Sequence, residues 1–178
     1  MSRESSRPAG LAIILLTVLV TVVALAGCAG SPPESYDNQS RTAYLEAYAS
    51  GIEQHAVGQS FFNNGTRAWE AIDLRTAIAD YSNASMIYSE AAKDYGNMAQ
   101  YAQNKEETVF ADSLRGCAFN LSQASDLFVN AAIALGQNNS DTAYDWFCQG
   151  QSHVDASEAL LNWSIATTPK WLIELASG

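Results

Sequence analysis

The chain has 178 residues, 19 of them acidic and 9 basic, for a formal net charge of −10. So acidic a composition excludes the basic patch with which a protein holds nucleic acid, and the length suits one domain with enough chain to bury a core. Two histidines and three cysteines leave little material for a metal centre.

The first residues, Met1 to Arg7, are weakly basic, and Leu11 to Ala26 is a sixteen-residue apolar run interrupted only by Thr17 and Thr21. A helix needs about 20 apolar residues to cross the hydrocarbon of a bilayer, so this run has the length of an export signal instead. It ends in Leu25-Ala26-Gly27-Cys28, where small residues suit a peptidase site and a cysteine follows directly. This quartet resembles the lipobox of prokaryotic lipoproteins, and the resemblance covers the first 28 residues only. It implies that residues 1–27 are a signal peptide and that Cys28 is the lipidation site, its thiol taking a diacylglyceryl group. The mature chain would then sit on the outer face of the cytoplasmic membrane. An uncleaved anchor or an ordinary secretory signal are the alternatives, and both also put residues 29–178 outside. Arg3 and Arg7 are not adjacent, so general secretion is expected and not twin-arginine export.

Without residues 1–27, which hold Arg3, Arg7 and Glu4, seven basic and eighteen acidic residues remain, a net charge of −11. Such a chain gains nothing from an anionic lipid surface, so its membrane partner is reached through the lipid at Cys28. Residues 28–36, rich in Ser, Gly and Pro, read as a lipidated tether, and 37–178 as the folded domain.

From residue 37 to 166 there is no proline, alanine is abundant, and apolar residues recur at three and four, an all-α signal. The first helix is expected over 38–62, with Leu45, Tyr48, Ile52, His55 and Phe62 on one face. Asn63-Asn64-Gly65 reads as its stop and Thr66 as the next cap. The second helix, 66–103, repeats every seven residues: Ala77 with Tyr81, Ala84 with Tyr88, Ala91 with Tyr95, then Met98 and Ala102. The third, 106–136, carries Phe110, Leu114, Cys117, Leu121, Ala124, Phe128, Ala131 and Leu135 at alternating spacings of four and three, a bundle seam. Gly136 to Asp141 stops it, and Asn139 or Ser140 caps a fourth helix over 140–166 that presents Ala143, Phe147, Val154, Leu161 and Ile165. Thr168-Pro169 has the form of a helix start, and Trp171 to Leu175 give a short apolar docking helix.

Long helices with short connections predict an antiparallel up-down four-helix bundle with a short C-terminal helix. A tetratricopeptide-like array is the alternative, but its repeat of about 34 residues differs from the seven-residue period here. If the third and fourth helices form a hairpin near residue 138, Cys117 and Cys148 are offset by roughly 16 Å along the axis, against a disulfide limit of about 7 Å between Cα atoms. Two free, mostly buried thiols are therefore expected.

Asn-x-Ser/Thr occurs at Asn38, Asn64, Asn83, Asn120, Asn138 and Asn162, where 11 Asn and 28 Ser plus Thr in 178 residues would give about two by chance. On an exported chain these are candidate glycan acceptors, as in a surface glycoprotein of archaeal type, and an Asn- and Ser-rich surface is the plainer explanation. Asn38 and Asn138, placed in loops or caps, are the best candidates, with Asn64 third; the others fall within helices.

Glu53-Gln54-His55 and His153-Val154-Asp155 have the wrong spacing for a helical metal site, and no zinc, haem, nucleophile-elbow or phosphate-loop motif is present. No cofactor, metal or catalytic residue is assigned. His55 reads as a core or boundary histidine, and Cys117 as a small core residue. Tyr81, Tyr88 and Tyr95 are the candidate ligand groove, since phenol rings along a bundle can stack on a sugar or apolar ligand; the plainer reading is that they fill space between helices. The functional expectation is a lipid-anchored envelope protein acting as a structural or protein-interaction module. The alternative is a small-molecule or ion-binding lipoprotein using the tyrosine groove, and an enzyme comes third.

Overall fold

A computed structural model describes residues 36–177, with side chains from Asn38 onward. The expected signal peptide, Cys28 and all of the expected tether but Tyr36 lie outside the described residues. Five helices follow in order: α1 Tyr36–Glu70, α2 Leu74–Gln100, α3 Lys105–Gly136, α4 Ser140–Ala166 and α5 Lys170–Ser177. The first four pack as an up-down bundle, and α5 docks across one end. Helix α1 thus includes Tyr36, the last position assigned to the tether.

The α1/α2 interface is built from two seven-residue rows. Gly51, Gly58 and Gly65 of α1 lie under the rings of Tyr95, Tyr88 and Tyr81 of α2, so that one number rises by seven as the other falls, the register of an antiparallel pair. A Cβ at these glycines would stand 2.6, 2.9 and 2.9 Å from the facing ring. Each ring therefore occupies the space of a missing side chain. Glycine inside a helix costs about 1 kcal/mol relative to alanine, and burying a large ring returns roughly 2 kcal/mol, so the exchange favours the close seam.

This seam corrects the expected end of the first helix. Asn63-Asn64-Gly65 does not stop α1; Gly65 is buried beneath Tyr81, and the helix runs on to Glu70. Thr66 is not the next cap. Its hydroxyl bonds back to Phe62 O at 3.0 Å and receives the Tyr81 hydroxyl at 3.2 Å. The stop comes at Ile72, whose N–H donates to Trp69 O while that of Asp73 donates to Ala68 O, both at 2.9 Å. These two bonds make a Schellman motif with Ile72 in the left-handed position, φ 59°. Asp73 then caps α2, accepting from Thr76 N. The same motif ends α3, with Asn138 at φ 59° and Asn139 capping α4.

A β-branched residue at positive φ is strained, by about 1–2 kcal/mol, and Ile72 is 76 % exposed, so its side chain recovers little by burial. Ile72→Asn is expected to stabilise the bundle by about 1 kcal/mol, raising Tm by roughly 3 °C in a thermal melt. An unchanged or lower Tm would contradict this account of the turn.

Small residues also line α4, whose buried positions are Ala143, Gly150, Ser157 and Ser164, again at intervals of seven. Phe128 of α3 fills the space over Gly150, and Leu160 of α4 fills that over Gly116 of α3. The expected α4 face is partly corrected: Phe147, Val154 and Leu161 are half-buried, while Ile165 faces solvent. The α3 seam is buried as expected, apart from half-buried Leu135.

Three helix pairs are thus close, and one is not. No Cα atom of α1 comes within 8 Å of one in α4. A large side-chain pair bridges that gap: Trp69 of α1 stacks on Phe147 of α4 with centroids 5.6 Å apart, while Phe62 of α1 reaches Phe128 of α3 at 5.8 Å. The start of α1, the α2–α3 connection, the end of α4 and all of α5 share one end of the bundle, here called the entry end; the α1–α2 and α3–α4 turns form the far end.

Candidate functional site

The tyrosines expected to line a groove do not line one. Tyr81, Tyr88 and Tyr95 are buried on their glycines, and the hydroxyls of Tyr81 and Tyr88 reach Thr66 and Gln59 of α1, each at 3.2 Å. Burial pushes all three phenols above their ordinary range, so they stay protonated and neutral. The space-filling reading therefore describes the seam, except that the rings face glycines of α1 and not only the alanines of their own helix.

His55 lies on the same face of α1, between Gly51 and Gly58. Its ring meets Tyr88 edge-on at 5.2 Å and Tyr95 at 6.5 Å, and its Nδ1 is buried with no hydrogen-bond partner. Burial lowers its pKa to about 4 from the ordinary 6.5, so it is neutral at pH 7. Unfolded chains take up that proton below pH 6.5, whereas the folded chain resists it until about pH 4. Stability should therefore fall through this window on acidification, by about 3 kcal/mol in all from this one group. His55→Leu should abolish that slope relative to wild type in denaturant titrations between pH 7 and 4; parallel curves would show that His55 is not the cause.

The densest polar cluster is at the entry end, around Glu107, which sequence reasoning missed. Its carboxylate is fully buried and receives four donors. The Gln103 backbone N–H gives to Oε2 at 2.8 Å, while Arg41 at 2.7 Å, Trp171 Nε1 at 2.9 Å and Asn104 Nδ2 at 3.0 Å give to Oε1. Asn104 in turn caps α3 by accepting the Glu107 N–H at 3.0 Å. Burial alone would raise the acid's pKa, but the Gln103 amide and then the Arg41 guanidinium outweigh it and hold the carboxyl below its usual value. The Arg41 guanidinium also lies 3.9 Å over the Trp171 ring, and Tyr44 meets that ring edge-on at 5.8 Å. One carboxylate thereby joins α1, the α2–α3 connection, α3 and α5. The Asn-x-x-Glu spacing of a capping motif was the available signal. All four donors are held by protein and the acid is ionised, so the cluster is a clamp and not an acid–base site.

The three foremost candidate glycan acceptors are exposed, Asn138 at the far-end turn and Asn38 and Asn64 on α1, whereas Asn83 and Asn120 are half-buried. Asn38 falls in the first turn of α1, not in a loop, and Asn64 within the helix, not at its end. Asn120 is tied up, its Nδ2 donating to Gly116 O at 2.9 Å and its Oδ1 meeting His153 Nδ1 at 2.9 Å. Cys117 and Cys148 are unpaired, as expected from the hairpin offset, but Cys148 is exposed. Cys117 is buried 3.1 Å from Ser157 Oγ, and burial pushes its thiol up to about 11, too high for a reactive thiolate.

Among the described residues, no three His, Cys, Asp or Glu side chains gather to hold a metal ion, and no helix is long and apolar enough to cross a membrane. The two concavities that stand out are away from the tyrosines. One of about 300 Å³ lies at the entry end between Arg41, Leu45, Trp171 and Leu175. The other, about 270 Å³, is at the far end against Trp69, Leu135, Tyr144 and Phe147. Both are open and largely apolar, with Arg41 the one charged residue lining the first and Ser140 and Tyr144 the hydroxyl residues lining the second. Compared with known proteins, the chain matches no family model, no curated protein and no solved structure.

Proposed function

We propose that the protein is a lipid-anchored helical bundle of the cell envelope, fixed through Cys28 to the outer face of the membrane and acting as a structural or protein-interaction module. The observation that favours surface action over a ligand groove is the seating of Tyr81, Tyr88 and Tyr95 on Gly65, Gly58 and Gly51, with all three rings buried in the seam. The alternative of a tyrosine-lined receptor loses its site with that. The address rests on Leu25-Ala26-Gly27-Cys28 after its apolar run, and the partner on this reading is another envelope protein.

Cys28→Ser removes the acylated thiol and leaves the bundle untouched. The variant is expected to move from the membrane fraction to the soluble exported fraction, with unchanged helical circular dichroism. If Cys28→Ser protein whose mass shows it to be cleaved before residue 28 stayed in the membrane pellet like wild type, anchorage through this residue would be refuted.

A further inference from the structure

The entry end combines two things that nothing in the bundle itself requires to coincide. The chain leading from Cys28 enters there: seven residues separate it from Tyr36. Even fully extended, that connection spans at most roughly 30 Å. The bundle is longer, since the 35 residues of α1 extend about 52 Å at 1.5 Å each. A membrane anchor at Cys28 therefore holds the entry end near the lipid.

That same end exposes bulky apolar side chains from three separate segments. Tyr101 in the α2–α3 connection is 43 % exposed, Trp163 and Ile165 in the last turn of α4 are 56 % and 50 %, and Ile173 of α5 is 51 %. Leu175 is exposed beside the concavity under Trp171. The Glu107 clamp fixes α5 in place through Trp171, so this surface is held rigidly and not left to a loose terminus. Its charge is balanced, with Lys105 and Lys170 beside Glu106 and Glu174, in a chain that is otherwise strongly acidic. Tryptophan and tyrosine with flanking lysine favour the boundary between lipid headgroups and acyl chains, where an amphipathic ring meets both media.

We infer that the entry end, with Trp163, Ile165, Ile173 and Tyr101 foremost, rests in the headgroup region of the membrane that anchors Cys28, so that the bundle stands with its far end outward. This rests on the lipid-anchor reading. The occupant is a lipid surface, recognised by apolar and aromatic contact without a need for anionic headgroups. Burial of such side chains by about 5–10 Å would fix the orientation of the bundle, which a lipid on a short tether alone would not.

The four tryptophans make the test direct, because Trp163 and Trp171 are at the entry end and Trp69 and Trp146 lie toward the far end. Mature protein extracted from membranes would be reconstituted into phosphatidylcholine vesicles with acyl chains brominated near the headgroup. In a Trp69→Phe/Trp146→Phe variant, emission from the entry-end pair is expected to fall by about half or more relative to unbrominated vesicles, as contact at this depth requires. Adding Trp163→Phe should remove most of that quenching, and circular dichroism would confirm the fold of each variant. Protein that stays on the vesicles through an alkaline wash, yet shows no entry-end quenching, overturns the inference and leaves the anchor standing. Protein that washes off overturns both.

Discussion

Replacing Gly58 with valine should destabilise the bundle by about 3 kcal/mol, the upper range for forcing added carbons into a packed core. The first new carbon would stand 2.9 Å from Cδ1 of Tyr88, a fully buried ring with no room to move. Helix propensity alone points the other way, since glycine is the poorer helix former by up to about 1 kcal/mol. Gly96 supplies the contrast: a Cβ there meets only the flexible Arg115 side chain, at 3.7 Å. Gly96→Ala is thus expected to stabilise by roughly 1 kcal/mol, as propensity dictates. Combining Gly58→Val with Tyr88→Ala would put the bulk on the opposite helix. The double variant should be less destabilised than the sum of the singles by at least about 1.5 kcal/mol, measured by denaturant titration. Strict additivity would mean that the ring and the glycine are not coupled as described.

Glu107→Gln carries the second large effect. Glutamine nearly preserves shape, but it replaces one acceptor oxygen with an NH2 group that faces donors, and it removes the negative charge under Arg41. Loss of a buried, multiply hydrogen-bonded carboxylate should cost about 3 kcal/mol. The local sign is as informative as the total: with the Trp171 indole bond weakened, α5 should loosen, and Trp171 emission should shift to the red before the bundle melts. A Glu107→Gln protein with wild-type stability and unshifted emission would contradict the clamp. The carboxylate's pKa is depressed in the fold, so its contribution is present above the unfolded value and is lost as pH falls through the carboxylate range. That window lies below most of the one in which His55 acts, and the two can be separated.

How much of this fold is legible in the sequence depends on whether the deciding residues are local. The end of α3 and the start of α4 follow from Gly136, Asn138 and Asn139, whose conformational and capping preferences act over a few residues, and these boundaries match expectation. Gly65 shows the opposite case. Alone, after two asparagines, it reads as a stop; only its seven-residue relation to Gly51 and Gly58, and theirs to Tyr95, Tyr88 and Tyr81, explains why the helix continues. Ile72, which does end α1, gives no local signal, because isoleucine is among the residues least suited to a positive φ. The α4 face is misread for a related reason. Weighting large apolar residues selects Ile165, whereas the buried row is Ala143, Gly150, Ser157 and Ser164, small residues that admit the side chains of α3. For the entry-end cluster, Asn104 and Glu107 are visible as a cap, but Arg41 and Trp171 come from more than sixty positions away and only the folded chain unites them with the acid.

The proposed tether through Cys28 as first mature residue has a chemical signature that mass spectrometry reads directly. Intact protein isolated from membranes should have the mass of residues 28–178 plus a diacylglyceryl group, with the addition localised to Cys28 by fragmentation. Recovery of the complete chain with an unmodified Cys28, or of a processed chain carrying no lipid, would contradict the account.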